Sequence, residues 1–441
     1  MGFVKNKINK IKSPFIRGII KPIYLLFLRI FKASQKLLQI KQIKKAQSQN
    51  QRIVDSLKIK KPETIRVVFL VLNASVWKYD SLFNKMLLDK SFEPVIFICP
   101  HKSLLKEERI NEINRIKSQF EKLKYPVISP FDKNNELIDV KMFFKPHIVF
   151  FTNPHDLSYK LYSIEYFNDV LTAYAPYSIM ATRKPYLQYD QLFHNLLWRM
   201  YNETPIHHQM AKKYSRINGL NSRIAGSSIY ESIKLKKRKS NVWKNRAGLK
   251  KIIYAPHHTF SDLEEMNFST ILENGEFLLK MAKKYKNKIH IAFKPHPHLK
   301  TKLYEYPYWG KKKTDFFYNK WEDLENTQVE NGEYIELFQQ SDAMILDSIS
   351  FITEYLFVDK PALFLFNDKK SLKLFNDYGS EALNCLDWSF KQKDIEEFIL
   401  KVIEEKDEKK EKRKSFLNEN FTSINELFSD FVIKDIKNHL S

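Results

Sequence analysis

Short apolar runs bounded by polar loops begin at Ile65. "IRVVFLVL" (65–72), "PVIFIC" (94–99), "HIVFF" (147–151) and "VLTAY" (170–174) are nearly continuous in hydrophobic side chains. A strand with one face in water alternates apolar and polar positions, so unbroken runs predict strands covered on both faces of a parallel sheet. Between them lie stretches such as "SLLKEERINEINRIKSQFEKLK" (103–124), whose apolar residues recur at helical spacing. The second half repeats the alternation. "KIIYA" (251–255), "KIHIAF" (288–293), "DAMIL" (342–346) and "ALFLF" (362–366) read as strands, with "FLLKMAKKY" (277–285) and "ISFITEYLFV" (349–358) as helices between them. The basic stretch "KLKKRKSNVWKNRAGLKK" (234–251) reads as a linker, and "DIEEFILKVIEEKDEKKEKRKSF" (394–416) as one solvated helix.

The pattern predicts an α/β protein with two doubly wound, Rossmann-like domains in tandem. Its 441 residues are enough for two cores, since a single core rarely grows past about 250 residues. The expected divisions are a segment at 1–60, a first domain at 61–235, a second at 236–415, and a C-terminal helix at 416–441 packing back on the first lobe. The two cysteines, Cys99 and Cys385, have no metal-ligand spacing, which fits a reducing compartment.

Charge changes the reading of the first segment. The chain carries +23 overall, and its first 50 residues hold twelve Lys and Arg and no acid. Within them, "PFIRGIIKPIYLLFLRIF" (14–31) is interrupted by Arg17, Lys21 and Arg29. It falls short of the roughly 18–20 uncharged residues that a membrane span needs. No small-residue cleavage site follows, against a secretory signal. Basic residues beside Phe, Ile, Leu and Tyr predict an amphipathic helix on an anionic membrane surface, with "KAQSQNQRIVDS" (45–56) as a polar connector behind it. The plain alternative is a solvated basic arm. Nucleic acid is not expected as a partner, because the aromatics lie in apolar strands and helices and are not interleaved with the basic run.

Candidate chemistry collects where three strands of the second half end. Strand 251–255 runs into "PHHTFSD", strand 288–293 into "KPHPH", and strand 342–346 into "DSISFITEY". These loops hold His257, His258, Thr259, Lys294, His296, His298, Asp347, Ser348, Ser350 and Glu354. Prolines on both sides of His296 fix φ and hold the loop's side chains in place. There is no GxGxxG and no Walker A sequence. Phosphate recognition therefore falls to a helix N-terminus with hydroxyls on its first turn. Ser348 and Ser350 supply those hydroxyls, Lys294 and a histidine complete a diphosphate cradle, and Glu354 is placed for ribose hydroxyls. Ordinary N-capping and a solvated helix face would explain Ser350 and Glu354 equally if they stood alone. The histidines also raise a zinc site, but the proline between His296 and His298 breaks the usual spacing. No metal or other cofactor is expected.

Together, "YAPHHTF", "FKPHPHL" and "SDAMILDSISFITEYLFVDKPALFLF" resemble the CDP-glycerol glycerophosphotransferase family, the teichoic-acid polymerase and primase type. That family follows a "YAPTxR"-like loop with "KxHP" and "SDxxITDYSSxxFDxxxxxKPxxF". The likeness spans roughly residues 140 to 370. It implies a GT-B fold with an acceptor domain first and a nucleotide-donor domain second. It also implies a cytoplasmic enzyme on the inner face of the membrane. Such an enzyme moves glycerol- or ribitol-phosphate from a CDP-activated donor to a lipid-linked or surface-glycan acceptor, releasing CMP. His296, Ser348, Ser350 and the loop at 256–259 would hold the diphosphate. Departures are visible. "YAPYSIM" (174–180) puts Tyr177 on the acceptor side where the family has an "HGT" histidine. His155, in "FTNPHDL", is the substitute candidate for the base, with capping of the next helix as its ordinary explanation. "SIS" replaces the serine pair, and "YAPH" replaces "YAPT". An inverting glycosyltransferase of capsule or lipopolysaccharide synthesis, using a CMP- or other nucleotide-sugar, is the competing reading.

Overall fold

The computed structural model describes residues 14–440 apart from 74–76, 236–240, 245–247, 261–266, 333 and 423–425; the side chains of 14–21, 23, 28 and 32 also lie outside the description. Thirteen described strands form two sheets, parallel throughout. The first contains β1 (Ile65–Val71), β2 (Phe92–Ile98), β3 (Val127–Ile128), β4 (Ile148–Phe151), β5 (Leu171–Tyr174), β6 (Arg199–Asn202) and β7 (Ser222–Ile224), in the order β3-β2-β1-β4-β5-β6-β7. The second contains β8 (Lys250–Ala255), β9 (Ile289–Phe293), β10 (Thr327–Val329), β11 (Ala343–Leu346), β12 (Ala362–Leu365) and β13 (Asp387–Ser389), in the order β10-β9-β8-β11-β12-β13. Strand order reverses between β1 and β4 in one sheet and between β8 and β11 in the other. Ligands collect at such switch points, outside the carboxyl ends of the strands.

Both faces of each sheet are covered, as the apolar runs require. Val67, Phe69 and Val71 of β1 enter one core cluster, and Val68 and Leu70 enter another on the opposite face. Likewise Ile253 and Ala255 of β8 face away from Ile252 and Tyr254. Burying each such large side chain contributes roughly 1.5–3 kcal/mol. The strands that pattern alone did not show are short: β3, β6, β7, β10 and β13 have two to four residues each.

The N-terminal segment differs from expectation. One helix, Pro14–Lys60, runs straight through the stretch read as a polar connector. That stretch has neither Gly nor Pro, and Ile43, Asn50, Val54 and Leu57 recur at helical spacing and are buried against the first lobe. Gln47 Nε2 donates to the Asn195 carbonyl at 2.8 Å, and Asn50 Nδ2 to that of Leu196 at 3.2 Å. Arg29 lies on the helix's outer half, exposed with Leu25, Leu26, Phe27 and Ile30; the side chains of Arg17 and Lys21 fall outside the described residues.

The stretch 394–416 is also not one solvated helix. It divides between Gln392–Ile403, which buries Ile395, Phe398, Ile399 and Val402, and Lys410–Leu417. The break is held by Arg413, wholly buried, whose guanidinium donates to Asp407 through two nitrogens and to Asp359 through Nε. The high count of charged residues concealed this apolar stripe.

Several contacts tie the lobes together. The last helix, Phe428–Leu440, returns to the first lobe, where Phe428, Val432, Ile436 and Leu440 join the core around Phe69. Arg199 Nε and the Tyr201 hydroxyl both donate to its Asp435, at 2.9 and 3.0 Å. Near the cleft, Thr182 and Phe375 form an antiparallel bridge, Arg183 N donates to the Leu374 carbonyl at 2.8 Å, and Asn376 Nδ2 donates to that of Met180 at 2.7 Å. Gly379 fits only because it lacks a Cβ, which would stand 2.1 Å from the Ala181 carbonyl oxygen. Gly379→Ala is expected to lower stability by about 1–3 kcal/mol through this overlap, read as a depressed melting temperature; an unchanged melt would show that the junction yields freely.

Candidate functional site

The loops after β8, β9 and β11 converge at the second switch point. Four imidazoles meet there: ring centroids lie 4.3 Å apart for His257 and His258, 3.9 Å for His258 and His296, 5.3 Å for His257 and His296, and 5.5 Å for His296 and His298. Burial, with neighbouring imidazoles adding to it, pushes His257 and His296 down to about 3, so both are neutral at physiological pH.

Their hydrogen bonds define what they offer. His257 Nδ1 accepts from the Thr259 backbone N–H at 3.3 Å and lies 2.7 Å from its hydroxyl. His296 Nδ1 accepts from the His298 backbone N–H at 3.2 Å. A neutral ring that accepts at Nδ1 carries its proton at Nε2. Both rings therefore present an N–H donor. The nitrogens of His257, His258 and His296 come within 4.8 Å of one another, close enough to suggest a metal. A metal-binding histidine, however, normally donates its other N–H to a carbonyl or carboxylate. Here two of the three accept at that position, which suits an anion better than a cation.

Asp347 braces the site instead of lining it. Fully buried, it accepts from the His257 N–H at Oδ1, and from the Thr270 N–H at 2.6 Å and hydroxyl at 2.9 Å at Oδ2. Burial raises it to about 7 against these bonds. Lys294 has a similar positioning part: its buried ammonium donates to the Gly332 carbonyl at 2.8 Å. Ser348 is the N-cap residue of the helix Ile349–Leu356, yet its hydroxyl makes no capping bond and lies 3.3 Å from that of Ser350. The pair is thus left beside the helix terminus, where an anion is favoured.

Glu354, one turn further, is buried. Its raised pKa follows from burial, partly offset by Lys78 and by a hydrogen bond with Tyr334. Lys78, from the loop after β1, donates to the Tyr334 hydroxyl at 2.6 Å. The three residues thus link the first lobe to the helix that carries the serines. Sequence reading missed Lys78 and Tyr334, although Lys78 follows a strand end just as the second-lobe candidates do.

On the first-lobe side, His155 follows β4. Its backbone N–H donates to Asn153 Oδ1 at 3.0 Å, and its ring stands 6.4 Å from that of Tyr177. Burial lowers the His155 pKa and raises that of Tyr177, so both are neutral near pH 7. A second missed group is Glu203, which directly follows β6. It is buried, and neither carboxylate oxygen has a hydrogen-bond partner among the described residues. Burial pushes it up to about 8. The run "WRMYN" before it was too short to reveal a strand end.

A carboxyl raised in this way favours folding while it is protonated. Its contribution is whole below the ordinary glutamate value of 4.5 and is lost as pH rises to about 8. We expect wild-type stability to carry a decline of about 1.4 kcal/mol per pH unit over that window from this group. Glu203→Gln should flatten the decline in denaturant titrations at pH 5, 6.5 and 8. Parallel pH profiles for the two proteins would mean that Glu203 ionises freely in the fold.

Comparison with known proteins accords with this geometry. Residues 231–428 match the family described as CDP-Glycerol:Poly(glycerophosphate) glycerophosphotransferase. No curated protein sequence matches the chain. The wall teichoic acid polymerase TagF superposes with a TM-score of 0.54 at 12% identity, covering 93% of this chain and 99% of its own. A putative UDP-N-acetylglucosamine 2-epimerase from Listeria monocytogenes gives 0.55 at 13% identity, covering 86% and 97%. The UDP-GlcNAc 2-epimerase of Neisseria meningitidis gives 0.53 at 14%, covering 85% and 100%. At such identities these likenesses carry the GT-B fold alone. Residues 231–428, which hold the loops after β8, β9 and β11, thus carry the chain's likeness to the CDP-glycerol glycerophosphotransferase family, and the enzyme is CDP-glycerol glycerophosphotransferase-like.

Proposed function

We propose that the protein transfers glycerol- or ribitol-phosphate from a CDP-activated donor to a lipid-linked or surface-glycan acceptor at the inner face of the membrane. The observation that carries this reading is the set of neutral imidazole donors beside the Ser348–Ser350 helix terminus, at the second switch point. His257 and His296 offer N–H donors to the diphosphate, Ser348 and Ser350 offer hydroxyls, and the helix terminus adds its partial positive charge. In the reaction, an acceptor hydroxyl oxygen forms a bond to the β-phosphorus. The bond from that phosphorus to the oxygen bridging it to CMP breaks, and CMP leaves with the electron pair. The hydroxyl proton passes to a base, for which His155, neutral on the first-lobe side, is suited. Transfer of this kind needs positioning and charge stabilisation more than covalent chemistry. Asp347 and Lys294 fulfil the positioning part by holding the loops.

Attachment to the membrane is assigned to the outer half of the N-terminal helix. Among the described residues no helix is long and apolar enough to cross a membrane. Arg29 and Lys36 are exposed together with Leu25, Leu26, Phe27, Ile30, Leu37 and Leu38. This mixture of basic and apolar side chains suits the interface of an anionic leaflet.

Two outcomes are expected. His296→Gln should slow CMP release from CDP-glycerol about 100- to 1,000-fold, the usual loss for one donor to a developing charge, with an unchanged melting temperature; full turnover would refute the donor assignment. Deleting residues 1–35 spares the packed half of the helix and should abolish co-flotation with phosphatidylglycerol vesicles. Continued flotation of the truncated protein would place the attachment elsewhere.

A further inference from the structure

The first lobe contains a cavity of about 320 Å³ at its own switch point, bounded by Leu70 near the end of β1 and Leu72 just beyond it, Cys99 beyond β2, and the residues following β4. This is the low end of the roughly 300–1,000 Å³ found for small-molecule sites. Its lining combines three features. Tyr159, Tyr186 and Phe193 offer aromatic faces; Asn153, Ser158 and Ser163 offer small polar groups; and two carboxylates, Asp156 and Glu165, border it, Asp156 being paired with Lys102 at 2.8 Å. Among the described residues no Lys or Arg lines the cavity, although the chain carries +23. A site for a phosphate-rich chain would draw on that surplus, since like charges facing a ligand repel it. His155 is part of the same wall.

We infer that this cavity binds an uncharged sugar unit of the acceptor, and that the protein adds its group to a glycan terminus in preference to a poly(polyol phosphate) chain. The inference rests on the transfer reading above and narrows its acceptor. Aromatic faces pack against the apolar face of a sugar ring, while the amide and hydroxyls bond its hydroxyl groups. Glu165 accepts from sugar hydroxyls and repels phosphate, while Asp156, already paired with Lys102, adds a further acceptor. A sugar seated there would bring its hydroxyl beside His155.

Saturation-transfer NMR on the full chain tests this, with N,N′-diacetylchitobiose and a synthetic glycerol-phosphate trimer as probes and CDP binding measured in parallel. The disaccharide should receive saturation from the wild-type protein. Ser163→Trp, which fills the cavity, should weaken that binding about tenfold while leaving CDP binding intact. Glu165→Lys, an exposed change that tolerates any folding concern with the first variant, should let the trimer bind. Trimer binding to the wild type without disaccharide binding would overturn the inference. So would disaccharide binding unaffected by Ser163→Trp in a folded variant. Absence of CDP binding to the wild type would instead overturn the transfer reading itself.

Discussion

The carboxylate of Asp347 is the constraint on which the second-lobe site depends. It directly follows β11 at the switch point, is wholly buried, and holds two other segments through three hydrogen bonds: the loop after β8 at His257, and Thr270 at the start of the helix Ile271–Lys284. Leaving such a buried group without its donors costs about 1–3 kcal/mol per bond. The cost of breaking the brace therefore fixes the His257 backbone, and with it the spacing of the imidazole cluster. The neutral form of His257 and His296 follows from burial, with the neighbouring imidazoles adding to it.

The seam between the lobes is polar and partly uncompensated. Lys78, Tyr334 and Glu354 cross it on one side. On another, the backbone of 180–183 is laced to 374–376, with the His207 ring 4.5 Å from that of Tyr378. Glu203 lies buried nearby; burial raises the pKa of Tyr174 in the first lobe and of Tyr378 in the second, and Glu203 adds to both. The C-terminal helix, by contrast, is anchored in the first lobe by four apolar residues and a buried ion pair.

Composition and basic excess describe the N-terminal helix incompletely. Its inner half belongs to the first lobe through Ile43, Val54 and Leu57, while its outer half presents apolar and basic side chains to solvent. One helix thus has a packed half and an exposed half. The cavity's rim residue Phe193 lies in the short helix Leu192–Leu196, whose neighbouring carbonyls accept from Gln47 and Asn50.

The sequence by itself determined the doubly wound architecture, because strands buried on both faces leave apolar runs that no other arrangement explains. It also determined the donor loops, because prolines, histidines and serines gathered at three successive strand ends. Only the tertiary structure decided the role of each. Asp347 and Lys294 read as ligands, and the structure shows their side chains bonded within the fold to partners ninety and thirty-eight positions away, which leave no local signature. Glu203 and Lys78 went unnoticed for the same reason: β6 is four residues long, and Lys78 acquires its meaning from Tyr334 in the other lobe. The connector at 45–56 and the helices within 394–416 were misread because polar side chains outnumbered the few apolar ones that pack. Local pattern records which residues avoid water; which residues meet across the chain is set by how the two sheets come together.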